Sequence, residues 1–136
     1  MEKKTISAGI IGAGGFIGQE HLKRLTKRID GAAVTALYDI NKEKTDALAA
    51  EYGAESMESV DALIASDKVD AIVITAWDGV HAEVTNKAIA AGKPVFCEKP
   101  LATTKADCAE IVRNEQAAGK NLVQVGFMRR YDPDYC

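Results

Sequence analysis

A chain of 136 residues suits one domain and can bury a sizeable core. Hydrophobic residues make up 47% and charged residues 27%, ordinary values for a globular protein, and the net charge of −3 leaves no electrostatic footprint for nucleic acid or an anionic membrane. No apolar run approaches the ~20 residues of a membrane span.

Only a short apolar strand follows Met1-Glu2-Lys3-Lys4-Thr5, so the N-terminus does not read as a signal peptide. Cys97, Cys108 and Cys136 form no CxxC pair and are odd in number. That argues against a disulfide framework and against a zinc site, and it points to a reducing compartment, the cytoplasm; no metal is expected.

Apolar β-type runs alternate with amphipathic helical stretches, the pattern of parallel strands joined by crossover helices. Strands are expected near Ile6–Ile11, Ala33–Tyr38, Ala54–Met57, Ala71–Thr75, Pro94–Cys97 and Leu122–Gly126. Helices are expected near Ile17–Arg28, Lys42–Glu51, Ser59–Ala65, Val80–Ala91 and Lys105–Ala118. Gly31, Gly53, Gly92 and Gly119 each follow a helical run, as a left-handed C-cap would. The result is an α/β, doubly wound parallel sheet. The tail from Arg129 to Cys136 has no secondary-structure signal and reads as an exit toward something else.

Gly9-Ile10-Ile11-Gly12-Ala13-Gly14-Gly15-Phe16-Ile17-Gly18 closes the first strand and opens the first helix. Glycines there permit a tight turn and close backbone approach, and the helix N-terminus then faces a pyrophosphate. The spacing fits two patterns. GxGxxG uses Gly12 and Gly14 but puts Ile17 at the third position; GxxGxxG uses Gly12, Gly15 and Gly18, as in short-chain dehydrogenases. The Tyr-xxx-Lys pair of those enzymes has one nearby match, Tyr38 to Lys42, and it falls in the wrong place. Candidate cofactor-binding residues in this turn are Gly12, Gly14, Gly15, Phe16 and Ile17.

Asp39 ends the second strand, where a carboxylate can accept from both ribose hydroxyls and would repel a 2′-phosphate. No Arg follows to receive that phosphate, so NAD is favoured over NADP. The competing role for Asp39 is capping the next helix or turn, which Asn41 can do instead.

Val95-Phe96-Cys97-Glu98-Lys99-Pro100 reads as a short buried strand ending in a carboxylate, an amine and a proline. Ligands bind outside the carboxyl edge of such a sheet. Pro100 stops the ladder because it has no N–H to donate. The plainer alternative is a charged loop with a solvated Lys99.

With Glu98-Lys99-Pro100 on the fifth strand, the sequence resembles the Gfo/Idh/MocA oxidoreductases. Cys97 to Thr104 and Gln124 to Pro133 look most like the inositol 2-dehydrogenase branch of that family. The resemblance covers essentially the whole chain. It implies a Rossmann domain over residues 1–126, with residues 127–136 leading to a C-terminal α+β substrate domain that this chain lacks. It further implies NAD-dependent oxidation of a ring hydroxyl of myo-inositol or a related polyol or sugar, and a homo-oligomeric full-length protein.

Lys99 then carries over as the catalytic amine beside the nicotinamide and the substrate hydroxyl, where an ammonium favours the developing alkoxide. Glu98 would hydrogen-bond near the nicotinamide ribose or orient Lys99. Pro100 would fix the turn. Thr75 and Trp77 match the family's loop along the cofactor, although Asp78-Gly79-Val80 departs from its usual Gly-Pro-Ala. Packing under the helix is the competing role for Trp77. His81 matches a His at the start of the next helix and is expected near the cofactor in an orienting role. His21 reads as a structural or surface residue. Arg129 matches a substrate-contacting position, and Arg130 reads as a solvated linker charge.

The family places its DxxxH catalytic pair in the second domain, and no DxxxH follows Lys99 here. The chain by itself is therefore expected not to turn over polyols. Two alternatives stand beside this reading: a stand-alone NAD-binding or sensing module, and an NADP-linked sugar or scyllo-inositol oxidoreductase.

Overall fold

The computed structural model describes residues 5–136. Six parallel strands, β1 (Ile6–Ile11), β2 (Ala32–Tyr38), β3 (Glu55–Ser56), β4 (Ala71–Ile74), β5 (Val95–Glu98) and β6 (Val123–Gly126), form one sheet. Their order is β3-β2-β1-β4-β5-β6. The connecting helices are α1 (Phe16–Lys27), α2 (Lys42–Tyr52), α3 (Val60–Ala65), α4 (His81–Ala90) and α5 (Lys105–Ala118). The chain winds outward from β1 to β3, crosses back, and winds the other way from β4 to β6. That reversal opens a crevice between the carboxyl ends of β1 and β4, where ligands bind in such sheets.

Right-handed crossovers put α1 and α2 on one face and α3, α4 and α5 on the other. The core divides accordingly. Ile10, Leu22, Leu37, Ala49 and Val73 cluster under α1 and α2. Ile11, Leu63, Ile72, Ile74, Val84, Ala88 and Cys97 cluster under α3 and α4. A third group, Ile89, Ile111 and Leu122, closes the α4–α5–β6 corner. Leu22 and Leu63 are fully buried, each contributing roughly 1.5–3 kcal/mol of transfer free energy.

The caps follow the expected chemistry. Asn41 accepts from the Lys44 N–H at 3.0 Å, Ser59 from Ala62 at 3.0 Å and Thr104 from Asp107 at 3.1 Å. Gly53 and Gly119 end α2 and α5 in the left-handed region, at φ 70° and 66°. Gly31 is different. Helix α1 ends at Lys27 with Arg28 as its C-cap, so Gly31, at φ 84°, turns the chain into β2 instead of capping the helix.

Helix α4 lies where expected, with Asp78–Val80 forming a 3-10 turn that leads into it at His81. One further expectation needs correction. The tail is not featureless: Met128–Tyr131 forms another 3-10 turn. Its Tyr131 hydroxyl accepts from Gln124 Nε2 at 3.0 Å, and the Arg129 guanidinium lies 4.2 Å from the Tyr135 ring centroid. These contacts depend on side chains meeting after the turn forms, which periodicity does not encode. Among the described residues, no helix is long and apolar enough to cross a membrane.

Candidate cofactor site

The glycine-rich turn carries the chain from β1 over the crevice into α1. Gly12 has φ +90°, and a Cβ there would lie 2.4 Å from the Ala76 backbone nitrogen. At Gly18 a Cβ would lie 2.2 Å from the Gly12 carbonyl oxygen. These two glycines let the turn, α1 and the end of β4 close on one another. Gly15 is exposed, and the nearest atom to a Cβ placed there is 3.6 Å away. The packing glycine on the helix is thus Gly18; Ile17 is 44% exposed and does not occupy that place.

Helix α1 starts at the Gly15 N-cap with no side-chain hydrogen bond and no acidic residue in its first turn. No side chain caps its leading amides, the arrangement that can receive an anion. Thr75 secures the opposite wall: its hydroxyl donates to the Gly12 carbonyl at 3.0 Å and its N–H to Ile11 at 2.8 Å. Gln19 holds the turn from the helix side, donating from Nε2 to the Gly14 carbonyl at 3.0 Å.

A cavity of about 350 Å³ occupies the crevice. Asp39, Ile40, Thr75, Trp77 and Glu83 line it, together with Gly12 and Gly15. Asp39 Oδ2 accepts from the Gly14 N–H at 2.9 Å and Oδ1 from the Asn41 N–H at 3.0 Å. Asn41, in turn, is the cap of α2. Ile40 and Trp77 are 93% and 75% exposed, so the mouth of the cavity carries two large apolar surfaces. A Cβ on Gly79 would meet the Trp77 ring at 2.4 Å. The departure at Asp78-Gly79-Val80 therefore has a physical sense: glycine makes room for the indole to lie against the 3-10 turn.

The other half of the site lies at the end of β5. Cys97 is fully buried, and burial pushes its thiol pKa up to about 11; the Thr85 hydroxyl offsets part of that rise and the Glu98 charge adds to it. Glu98 Oε2 accepts from the Lys99 N–H at 3.3 Å. Lys99 is exposed at the carboxyl edge, and its bond to Pro100 is cis.

His81 is 1% exposed and lies behind this edge, lining neither of the cavities described here. Its ring spans the Pro100 carbonyl, 2.6 Å from Nδ1, and the Ala76 carbonyl, 2.9 Å from Nε2. It ties the β4 loop to the Lys99-Pro100 turn. Arg129 stands apart, with its guanidinium 3.6 Å from Asp132 and over Tyr135.

A second cavity, of about 420 Å³, opens on the far side of α1. Phe16, Ile17, His21 and Glu98 line it with Met128 and Tyr131. His21 Nε2–H donates to Glu98 Oε1 at 2.8 Å. Sequence reasoning missed this contact, and also the role of Gln19. The available signal was the stripe Phe16, Ile17, Glu20, His21 and Arg24, which puts His21 on the face of α1 that the outer strands meet. Among the described residues no group of three His, Cys, Asp or Glu side chains could hold a metal ion.

Comparison with known proteins gives this geometry a family. Residues 6–127 match the Gfo/Idh/MocA model, described as an oxidoreductase family with an NAD-binding Rossmann fold. The chain belongs to that family. It is 50% identical over 131 residues to inositol 2-dehydrogenase 3 of Saccharopolyspora erythraea, covering 96% of this chain and 38% of that protein. It is 51% identical over 134 residues to inositol 2-dehydrogenase of Klebsiella pneumoniae, covering 96% and 39%.

Among solved structures, myo-inositol dehydrogenase from Lactobacillus casei in complex with NAD(H) and myo-inositol superposes with a TM-score of 0.90 at 36% identity. That match covers 95% of this chain and 38% of the other. The scyllo-inositol dehydrogenase of the same organism, with bound NAD(H) and scyllo-inositol, also gives 0.90, at 30% identity, covering 97% and 39%. The chain therefore spans well under half the length of these relatives, and its family domain is an NAD-binding Rossmann fold.

Proposed function

We propose that this chain is the cofactor-binding half of an NAD-dependent dehydrogenase that oxidises a ring hydroxyl of myo-inositol or a related polyol to a ketone. The observation that carries the cofactor choice is the crevice lining: among the described residues it holds Asp39 and Glu83 and no Arg or Lys. Lys42, the first cation after Asp39, is engaged by Asp46 and Glu58, whose contacts raise its pKa. A 2′-phosphate would meet these crevice carboxylates, whereas ribose hydroxyls would meet acceptors.

The uncapped α1 amides and the close backbone approach at Gly12 suit the pyrophosphate; Gly14, Gly15, Phe16 and Ile17 supply the rest of that turn. Thr75 and Trp77 flank the path of the cofactor, and Glu98 takes its nicotinamide end. When bound, the nicotinamide supplies a hydride acceptor. Lys99 lowers the cost of negative charge on the substrate oxygen and hydrogen-bonds there as the hydroxyl proton departs. His81 holds the Lys99-Pro100 turn from behind and touches no substrate. Arg129 approaches the polyol once the remaining part of the site is in place.

The identities to inositol 2-dehydrogenases support the polyol class. That the chain covers only 38% and 39% of those relatives supports an incomplete substrate pocket and inactivity of the chain alone. The odd number of cysteines, with no CxxC pair, supports a cytoplasmic location.

The test compares myo-inositol-dependent NADH formation by the longer protein carrying this sequence, by its Lys99→Met variant, and by the 136-residue chain. Activity only in the unmodified longer protein is expected. Appreciable turnover by the short chain would overturn the division of labour, and no polyol-dependent turnover by any form would overturn the substrate class.

A further inference from the structure

His21 lies in the middle of α1, 77 residues from Glu98, yet its Nε2 stands 2.8 Å from the Glu98 carboxylate. Both side chains are three-quarters buried, at 25% and 21% exposure, so the pair is sheltered from competing water. The ring is itself held: its edge meets Phe96 with centroids 5.4 Å apart at 61°. Phe96 has space because Gly126 has no side chain; a Cβ there would come within 2.6 Å of the Phe96 ring. The other carboxylate oxygen of Glu98 accepts from the Lys99 N–H. The carboxylate is thus fixed at both oxygens, one by α1 and one by the turn that presents Lys99.

Helix α1 is also the helix whose N-cap residue, Gly15, lines the crevice. In the sheet order, β2 with Asp39 and β5 with Glu98 are three strand spacings apart, roughly 14 Å, with α1 opening between them. A dinucleotide whose adenosine ribose meets Asp39 extends past the α1 N-terminus toward Glu98. We propose that His21 is a positioning residue that couples α1 to the Glu98-Lys99 turn and sets the site for the nicotinamide riboside, leaving the adenosine half alone. This rests on the NAD reading above.

The test measures binding of NADH and of ADP, which lacks the nicotinamide riboside, to the 136-residue chain and its His21→Ala and His21→Gln variants. Loss of one charge-assisted hydrogen bond predicts NADH binding weakened about fivefold or more in His21→Ala. ADP binding should stay within about twofold. His21→Gln, which keeps an N–H donor, should recover most of the NADH affinity. Equal losses for NADH and ADP, an unchanged NADH affinity, or no recovery with Gln would each overturn the positioning role while leaving the NAD reading intact. Failure of the unmodified chain to bind either ligand would overturn the NAD reading itself, and the positioning role with it.

Discussion

The Asp39 carboxylate accepts from the backbone N–H of Gly14 at 2.9 Å, which fixes the end of β2 to the glycine-rich turn 25 residues earlier. With Asn41 N–H on the other oxygen, the acid is oriented before any ligand arrives. Asp39→Ala should remove both bonds, costing about 1–2 kcal/mol of stability. It should also weaken NAD and narrow the gap between NAD and NADP. Urea unfolding and parallel titration with the two cofactors check these effects; an unchanged NAD preference would remove Asp39 from the ribose site.

Gly12, Gly15 and Gly18 should respond differently to the same methyl group. Gly12→Ala and Gly18→Ala put a Cβ within 2.4 and 2.2 Å of backbone atoms, and each should cost roughly 3 kcal/mol or more. Gly15→Ala meets nothing closer than 3.6 Å and should stay within about 1 kcal/mol. Its effect should appear in cofactor affinity, where the backbone approaches the phosphates. Denaturation midpoints of the three variants check the order.

Cys97 sets a pH dependence on the alkaline side. Its thiol is neutral in the fold up to about 11, against 9.0 for the unburied group. Between those values the unfolded chain has lost a proton that the folded chain keeps, so stability falls as pH rises, by at most about 1.4 kcal/mol per pH unit. Below pH 9 this contribution is fully present. Cys97→Ala should flatten that alkaline loss in denaturation curves at pH 8 to 11. At pH 8 a thiol reagent should modify exposed Cys136 readily and buried Cys97 only on unfolding.

His81 bridges two carbonyls from a fully enclosed position, and His81→Ala leaves a cavity and removes both contacts. A loss of about 2–4 kcal/mol is expected in urea unfolding. A change below about 0.5 kcal/mol would mean the bridge does not hold the two loops together.

The sheet was largely legible in the residues because its strands are short apolar runs punctuated by glycines and cap residues. Ala71 to Ile74 and Val95 to Glu98 could only be buried strands once their flanking turns were placed. The place of Asp39 was legible for the same reason: it follows a strand end. Asn41 caps the helix, while Asp39 itself caps the turn by accepting from the Asn41 N–H. The His21–Glu98 contact was not legible: the stripe on α1 marks the face His21 lies on, but no local pattern names a partner 77 residues away. Gly31 misled because a glycine after a helical run looks alike whether it caps the helix or opens the following strand. The Met128–Tyr131 turn escaped notice because its stabilising partners, Gln124 and Tyr135, are set by chain direction and not by periodicity.

The most direct test of the central claim is calorimetric titration of the 136-residue chain with NAD and with NADP under the same conditions. Saturable binding of NAD, with NADP at least tenfold weaker, is the predicted result. Equal or tighter binding of NADP, or no binding of either, would contradict the account.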